Sequence, residues 1–227
     1  MRYYPVLVDL KDKRCLVVGG GQVALRKIRR LLECQARVFV VAQTLVEELK
    51  NMVSQGKIAY LGSEYKTEYL KGTFLLIGAT DDEELNLRLS QEANEKGILC
   101  NIVDQPEKCN FIVPSLVTKG DLIITISTSG KSPALARRLR QEMEKMFGEE
   151  YALFLQILGK IRDVLKRHIS SQPERQKILE ALVYSDMIEK IKLKDWLSVE
   201  EKLKRTLPLE IPKTEIEALL RELHEKS

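Results

Sequence analysis

The sequence predicts an α/β chain: a parallel sheet covered by helices, then a hairpin-plus-helix segment, then a small all-helical C-terminal domain. Three observations predict it. Strand-like apolar runs alternate with helix-periodic stretches through roughly the first half. Two β runs then follow one another with only "KGD" between them, which is a hairpin. From about Tyr151 onward the chain is helix-periodic and poor in glycine. The expected boundaries are 1–112 for the sheet domain, 113–148 for the central segment and 149–227 for the helical domain.

The elements follow in order. "RCLVVGG" is a short β-branched run ending in glycine, and "QVALRKIRRLLECQ" sets Val23, Leu25, Ile28, Leu31 and Leu32 near one helical face. "ARVFVVA" is the second strand. "TLVEELKNMVSQG" is the second helix, with Thr44 placed to cap it and Gly56 to end it. "KIAYLG" and "GTFLLIGAT" are strands three and four. "DDEELNLRLSQEANEKG" is a helix with acids in its first turn, where the dipole favours them, and with Thr80 or Asp81 as N-cap. "ILCNIVD" is the fifth strand. After the hairpin "FIVPSLVT"–"LIITISTSG" comes "SPALARRLRQEMEKMFG", a helix capped by Ser132 with Pro133 at its first position. Further helical pieces are expected over 174–184, 186–195, 198–206 and 213–225, with Trp196 in the core.

Composition narrows the function. Apolar residues are 44% and charged ones 31%, as in an ordinary globular protein. No apolar run approaches the roughly 18 residues that cross a bilayer, and the N-terminus lacks a signal-peptide core, so the cytoplasm is expected and no membrane partner. A net charge of +4 is no nucleic-acid footprint, but suits an anionic small molecule if the cations converge. Cys15, Cys34 and Cys100 read as buried free thiols, while Cys109 stands apart in a polar loop; no pair has C-x-x-C spacing. His168 and His224 read as surface residues, so no metal site is expected.

The turn "VVGGGQVALRK" carries the first chemistry. Gly19, Gly21 and Ala24 fit G-x-G-x-x-(G/A) between a strand and a helix. Such glycines let the backbone approach a pyrophosphate, which then sits on the helix N-terminus. The expected sheet is therefore Rossmann-type, and the expected cofactor NAD, with Gly19, Gly21, Gln22 and Val23 against it. The acidic residue that ends strand two in such folds is absent. Gln43 and Thr44 stand there as neutral ribose partners, and no arginine follows to favour NADP. Ala79 and Thr80, after strand four, complete the expected cofactor set.

Four motifs together resemble the siroheme synthase N-terminal family: "CLVVGGGQVALRKIRRLL", "GATDDEELN", "CNIVDQPEKCNFIVPS" and "ISTSGKSPALARRLR", in that order, between about Pro5 and Phe147. The chain looks like the stand-alone form, without the methyltransferase domain of longer members. The resemblance implies an NAD-dependent precorrin-2 dehydrogenase, an oxidoreductase forming sirohydrochlorin in siroheme biosynthesis. Some members are also ferrochelatases (lyases), so Fe2+ or Co2+ is a candidate second substrate. It implies a homodimer too, paired through the central hairpin segment, with the active-site cleft shared between domains.

Removing hydride from a reduced macrocycle also needs a proton acceptor. Asp104, after strand five, holds the family position for the essential carboxylate and is the expected general base. The substrate carries many carboxylates and calls for donors and cations. The loop and helix start at Ser127, Thr128, Ser129 and Ser132 supply hydroxyls and free N–H groups, Arg137 a bidentate cation, and Asn101 and Asn110 further amide donors. The competing reading is a non-enzymatic NAD(H)-sensing module whose helical tail binds a partner, since one fold serves many functions.

Overall fold

Five parallel strands in the order β3-β2-β1-β4-β5 form the frame: β1 (Arg14–Val18), β2 (Arg37–Val41), β3 (Ala59–Gly62), β4 (Leu75–Gly78) and β5 (Leu99–Ile102). The structure is a computed structural model and describes residues 3–209, 211–212 and 214–218. The chain folds as two compact units, 1–113 and 114–227. The hairpin segment and the helical tail thus share one unit, with no division at residue 148.

In the first unit the sheet is buried on both faces, as parallel strands require. Along β1, Cys15 and Val17 face one core, and Leu16 and Val18 the other. Helix α1 (Gln22–Glu33) covers the first face with Ala24, Leu25, Ile28 and Leu31. Burying each of the larger three contributes about 1.5–3 kcal/mol. Helix α2 (Glu47–Ser54) adds Leu49 to that face, and α3 (Glu83–Glu95) covers the other with Leu89 and Ala93. The chain builds outward from β1 through β2 to β3, then crosses to β4 on the other side. That reversal opens a crevice beyond the carboxyl ends of β1 and β4, where α/β sheets bind ligands.

Two capping expectations change. Thr44 does not cap α2; the helix starts at Glu47, so Val46 holds the N-cap position and Thr44 lies two residues before it. Helix α3 is capped by Asp82, whose Oδ1 accepts from Leu85 N at 2.9 Å, while Thr80 Oγ1 accepts from Asp82 N.

The second unit pairs β6 (Ser115–Lys119) with β7 (Leu122–Ile126) as an antiparallel hairpin turning at Gly120, φ 55°. Five helices follow: α4 (Pro133–Met146), α5 (Glu149–His168), α6 (Gln172–Val183), α7 (Met187–Lys192) and α8 (Trp196–Thr206). Their core centres on Ile157, Ile161 and Leu165 of α5 against Leu182, Met187, Val199 and Leu203, with Trp196 partly buried at its edge. Residues 214–218 are helical; the rest of the expected last helix, including His224, lies outside the described residues. Among the described residues, no helix is long and apolar enough to cross a membrane.

Candidate functional site

The crevice is a cavity of about 980 Å³. Gly19, Gly21, Gln22, Val23, Gln43, Thr44, Ala79 and Thr80 all line it, so one site collects the whole expected cofactor set.

Its floor is backbone. Gly19 has φ +128°, and a Cβ there would lie 2.1 Å from Ala79 O. A Cβ on Gly20 would lie 1.9 Å from Thr44 O. Gly19 N donates to Val41 O and Val46 N to Gly20 O, which tie the turn to β2 and to the start of α2. Gly21 differs: a Cβ there meets nothing within 4 Å. Its smallness serves the cavity, not the packing.

Gly21 is also the N-cap of α1, with no side-chain cap and no acid in the first turn. Among helices α1 to α8, only α1 has neither. The first N–H groups of α1 are therefore left for a ligand, and the helix dipole adds partial positive charge. That donor cradle fits a pyrophosphate.

The other wall was not foreseen from sequence. Ser63, Glu64 and Tyr65, just past β3, line the cavity, as do Leu85 and Arg88 of α3. The signal available was the glycine ending β3, which marks a further loop leaving the carboxyl edge. Arg88 is already engaged: its Nε donates to Glu92 Oε1 at 2.7 Å and Nη2 to Thr67 Oγ1 at 2.8 Å. Tyr65 donates to Glu92 Oε2 at 2.8 Å, and burial together with that hydrogen bond raises its phenol well above the ordinary range.

Beyond β5 the chain turns through Asp104, exposed and in the left-handed region at φ 60°. Asp104 is one of few residue types that tolerate this conformation. Side chains build the turn. Cys109 Sγ accepts from Ile102 N at 3.1 Å and donates toward Ile102 O or Gln105 O, each at 3.2 Å. Burial, the larger effect, raises its thiol pKa above the ordinary value. Asn101 is buried and donates to Phe111 O at 3.3 Å. Asn110 accepts from Cys100 N at 2.7 Å and donates to Ile98 O and Asn94 Oδ1. Its amide is fully committed to the loop, so the expected donor role of Asn110 toward a substrate is replaced by a structural one. Lys27 of α1 is half-buried near this turn; burial and Arg26 lower its pKa, against the opposing charges of Asp104 and Cys109.

Ser127, Thr128, Ser129, Ser132 and Arg137 lie in the second unit, where β7 gives way to α4. Ser132 Oγ caps the helix by accepting from Leu135 N. Thr128 Oγ1 accepts from Ser132 N and donates to Ser132 O, each at 3.1 Å. Ser127 Oγ accepts from Ser129 N, and Ser129 takes φ 52°. Arg138 and Arg140 pair along the helix with Glu142 and Glu144. Arg137 is exposed and has no such partner among the described residues, so its guanidinium is the available one of the three there.

Of the thiols, Cys15 and Cys100 are fully buried, with pKa values pushed up to about 11 and about 12 chiefly by that burial. Cys34 is exposed, contrary to expectation, because it sits past the last turn of α1, where the buried face has ended. His168 accompanies Arg167 in pairing with Glu215. No group of three or more metal-ligating side chains exists among the described residues.

Sheet order, glycine turn and cavity define the first unit as a Rossmann-type α/β domain with a cradle of dinucleotide form. The family model described as "Putative NAD(P)-binding" matches residues 6–115, and that described as "Sirohaem biosynthesis protein central" matches 119–146. With its relatives among siroheme synthases, this pairing places the chain in the siroheme synthase N-terminal family. It is 40% identical over 191 residues to "Siroheme synthase" of Buchnera aphidicola subsp. Acyrthosiphon pisum (strain APS), covering 84% of this chain and 40% of that protein. It is 35% identical over 202 residues to "Siroheme synthase 2" of Yersinia enterocolitica serotype O:8 / biotype 1B (strain NCTC 13174 / 8081), covering 88% and 43%. The chain thus spans about two fifths of the length of these relatives. Among solved structures, "SirC, precorrin-2 dehydrogenase" shares the fold, with a TM-score of 0.72 at 24% identity over 98% of this chain and 100% of that one.

Proposed function

We propose that this chain is an NAD-dependent precorrin-2 dehydrogenase, oxidising precorrin-2 to sirohydrochlorin. The observation that carries the reading is the uncapped, acid-free N-terminus of α1 behind the glycine turn, one cavity wall of a family whose named relatives are siroheme synthases. Gly19 to Val23 would hold the pyrophosphate, with Gln43 and Thr44 at the ribose and Ala79 and Thr80 along the far edge. NAD when bound supplies the hydride acceptor.

The chain's own residues do the rest. Two electrons leave the macrocycle with one hydride, and one proton must leave with them. Asp104 accepts that proton as general base. Its exposure keeps it reachable, and the Cys109 and Asn110 bonds hold its turn in place. The hydroxyls of Ser127, Ser129 and Ser132 would donate to substrate carboxylates from a loop that Thr128 holds through Ser132, and Asn101 would support the Asp104 turn through its bond to Phe111 O. Arg137 would grip one carboxylate bidentately. Metal insertion is a proposed second activity: Asp104 would accept the pyrrole N–H protons displaced as Fe2+ or Co2+ enters. A homodimer through the hairpin segment is part of the same proposal, supported by the exposed Ile123 of β7 and Leu135 of α4. So is a cytoplasmic setting.

The test is spectroscopic. Precorrin-2 is generated enzymatically without oxygen, and the visible absorbance is followed with and without NAD. The sirohydrochlorin spectrum should appear only with NAD, and Asp104→Asn should abolish it while leaving NAD binding intact. If folded, NAD-binding protein leaves precorrin-2 unchanged, the chain is the sensor module instead. Adding Fe2+ or Co2+ afterwards tests chelation.

A further inference from the structure

Strand β2 ends without the acid that usually binds the adenosine ribose: Gln43 stands there. Register shows where an acid does stand. Strands β2 and β3 run parallel with Val41 opposite Gly62, and Ala42 N donates to Gly62 O at 3.2 Å. Two residues past that pair lie Gln43 on one strand and Glu64 on the other, at matching levels of the sheet edge. Both line the cavity.

We infer that Glu64 is the ribose-binding and cofactor-selecting residue of this site, an acid moved from the end of β2 to the end of β3. The assignment rests on the NAD reading above. Glu64 is exposed and has no hydrogen-bond or ion-pair partner among the described residues, so its carboxylate is free to accept. The backbone around it is anchored on both sides. Tyr69 Oη donates to Leu61 O at 3.1 Å, and the next residue, Tyr65, is tied to Glu92. Gly62 at φ +138° makes the bend that brings Glu64 round to the cavity, a conformation L residues rarely take.

A carboxylate accepts strongly from a ribose diol and repels a 2′-phosphate. Among the described residues Arg88 is the one cation on the cavity lining, and its Nε and Nη2 are turned to Glu92 and Thr67. No other cation lines the cavity among the described residues, and Asp81, Asp82 and Glu84 add further negative charge, so the residue that holds NAD also disfavours NADP.

Titration calorimetry with NAD and NADP, on the full chain without tetrapyrrole, tests this. Wild type should bind NAD and discriminate against NADP. Glu64→Gln should weaken NAD about tenfold or less and narrow the NAD/NADP ratio by more, at unchanged melting temperature. The double variant Gln43→Glu/Glu64→Gln should regain the preference by restoring the acid on β2. If Glu64→Gln and Glu64→Ala both bind NAD and NADP as wild type does, the inference is overturned while the cofactor reading stands. If wild type binds NADP as tightly as NAD, Glu64 selects nothing. If wild type binds neither, the cofactor reading itself has failed and takes this one with it.

Discussion

The two turns that close β1 and β5 are built by opposite means. The glycine turn is made chiefly of backbone against backbone: Gly19 against Ala79 O, Gly20 against Thr44 O, with the Ala42 methyl beside it. The Asp104 turn is made of side chains against backbone: a thiol and two amides hold a residue in a left-handed conformation. The first leaves donors free for a ligand. The second uses nearly all its donors on itself and presents one carboxylate. A phosphate cradle needs empty N–H groups, whereas a proton acceptor needs one group held still.

The largest effect expected from breaking this contrast is Gly19→Ala. It combines a left-handed φ with a clash on a backbone oxygen that cannot yield, and should cost about 3–4 kcal/mol in urea unfolding. Asn110→Ala should cost about 2 kcal/mol, because it strands the N–H of fully buried Cys100, while NAD affinity stays put. Gly21→Ala sharpens the comparison most. With nothing within 4 Å and an ordinary φ of −86°, stability should hold within about 0.5 kcal/mol. NAD binding should nevertheless fall about tenfold or more, since the methyl enters the space the pyrophosphate needs.

The smallest effect is a pH response confined to the second turn. The folded pKa of Cys109 is raised, so its stabilising contribution is complete below the unfolded thiol value of about 8.5 and is lost as pH rises through the folded one. Amide exchange at Ile102 and Gln105 should then quicken at alkaline pH in wild type but not in Cys109→Ala. Exchange at Gly19 and Val46, whose turn holds no titratable group, should show no such step beyond the intrinsic rate.

This contrast also separates what was legible in the sequence. Glycine spacing, strand alternation and the cap at Ser132 are local signals, and each led to its element. The cofactor set lay together because one strand–turn–helix carries half of it and the loops after β2 and β4, the strands flanking β1, carry the rest. Glu64 was not legible, since its place depends on how β2 and β3 align, and no local pattern encodes that register. Asn110 misled for a related reason: an amide in a polar loop looks like a free donor until its partners Cys100, Ile98 and Asn94 are in view. Thr44 misled because α2 starts later than the local pattern suggested, at Glu47, which leaves Thr44 outside the cap position.

The bare N-terminus of α1 has a consequence for the life of the molecule. Every other helix from α2 to α8 carries its own cap or its own acid at that end, so α1 alone is completed from outside. A dinucleotide at a hundred times its dissociation constant would add about 2.7 kcal/mol to the folded state. Newly made chains meeting a full nicotinamide pool would then resist proteases, and chains made in a depleted one would be cleared. Cellular abundance of the protein would follow the supply of its cofactor, with no dedicated regulator.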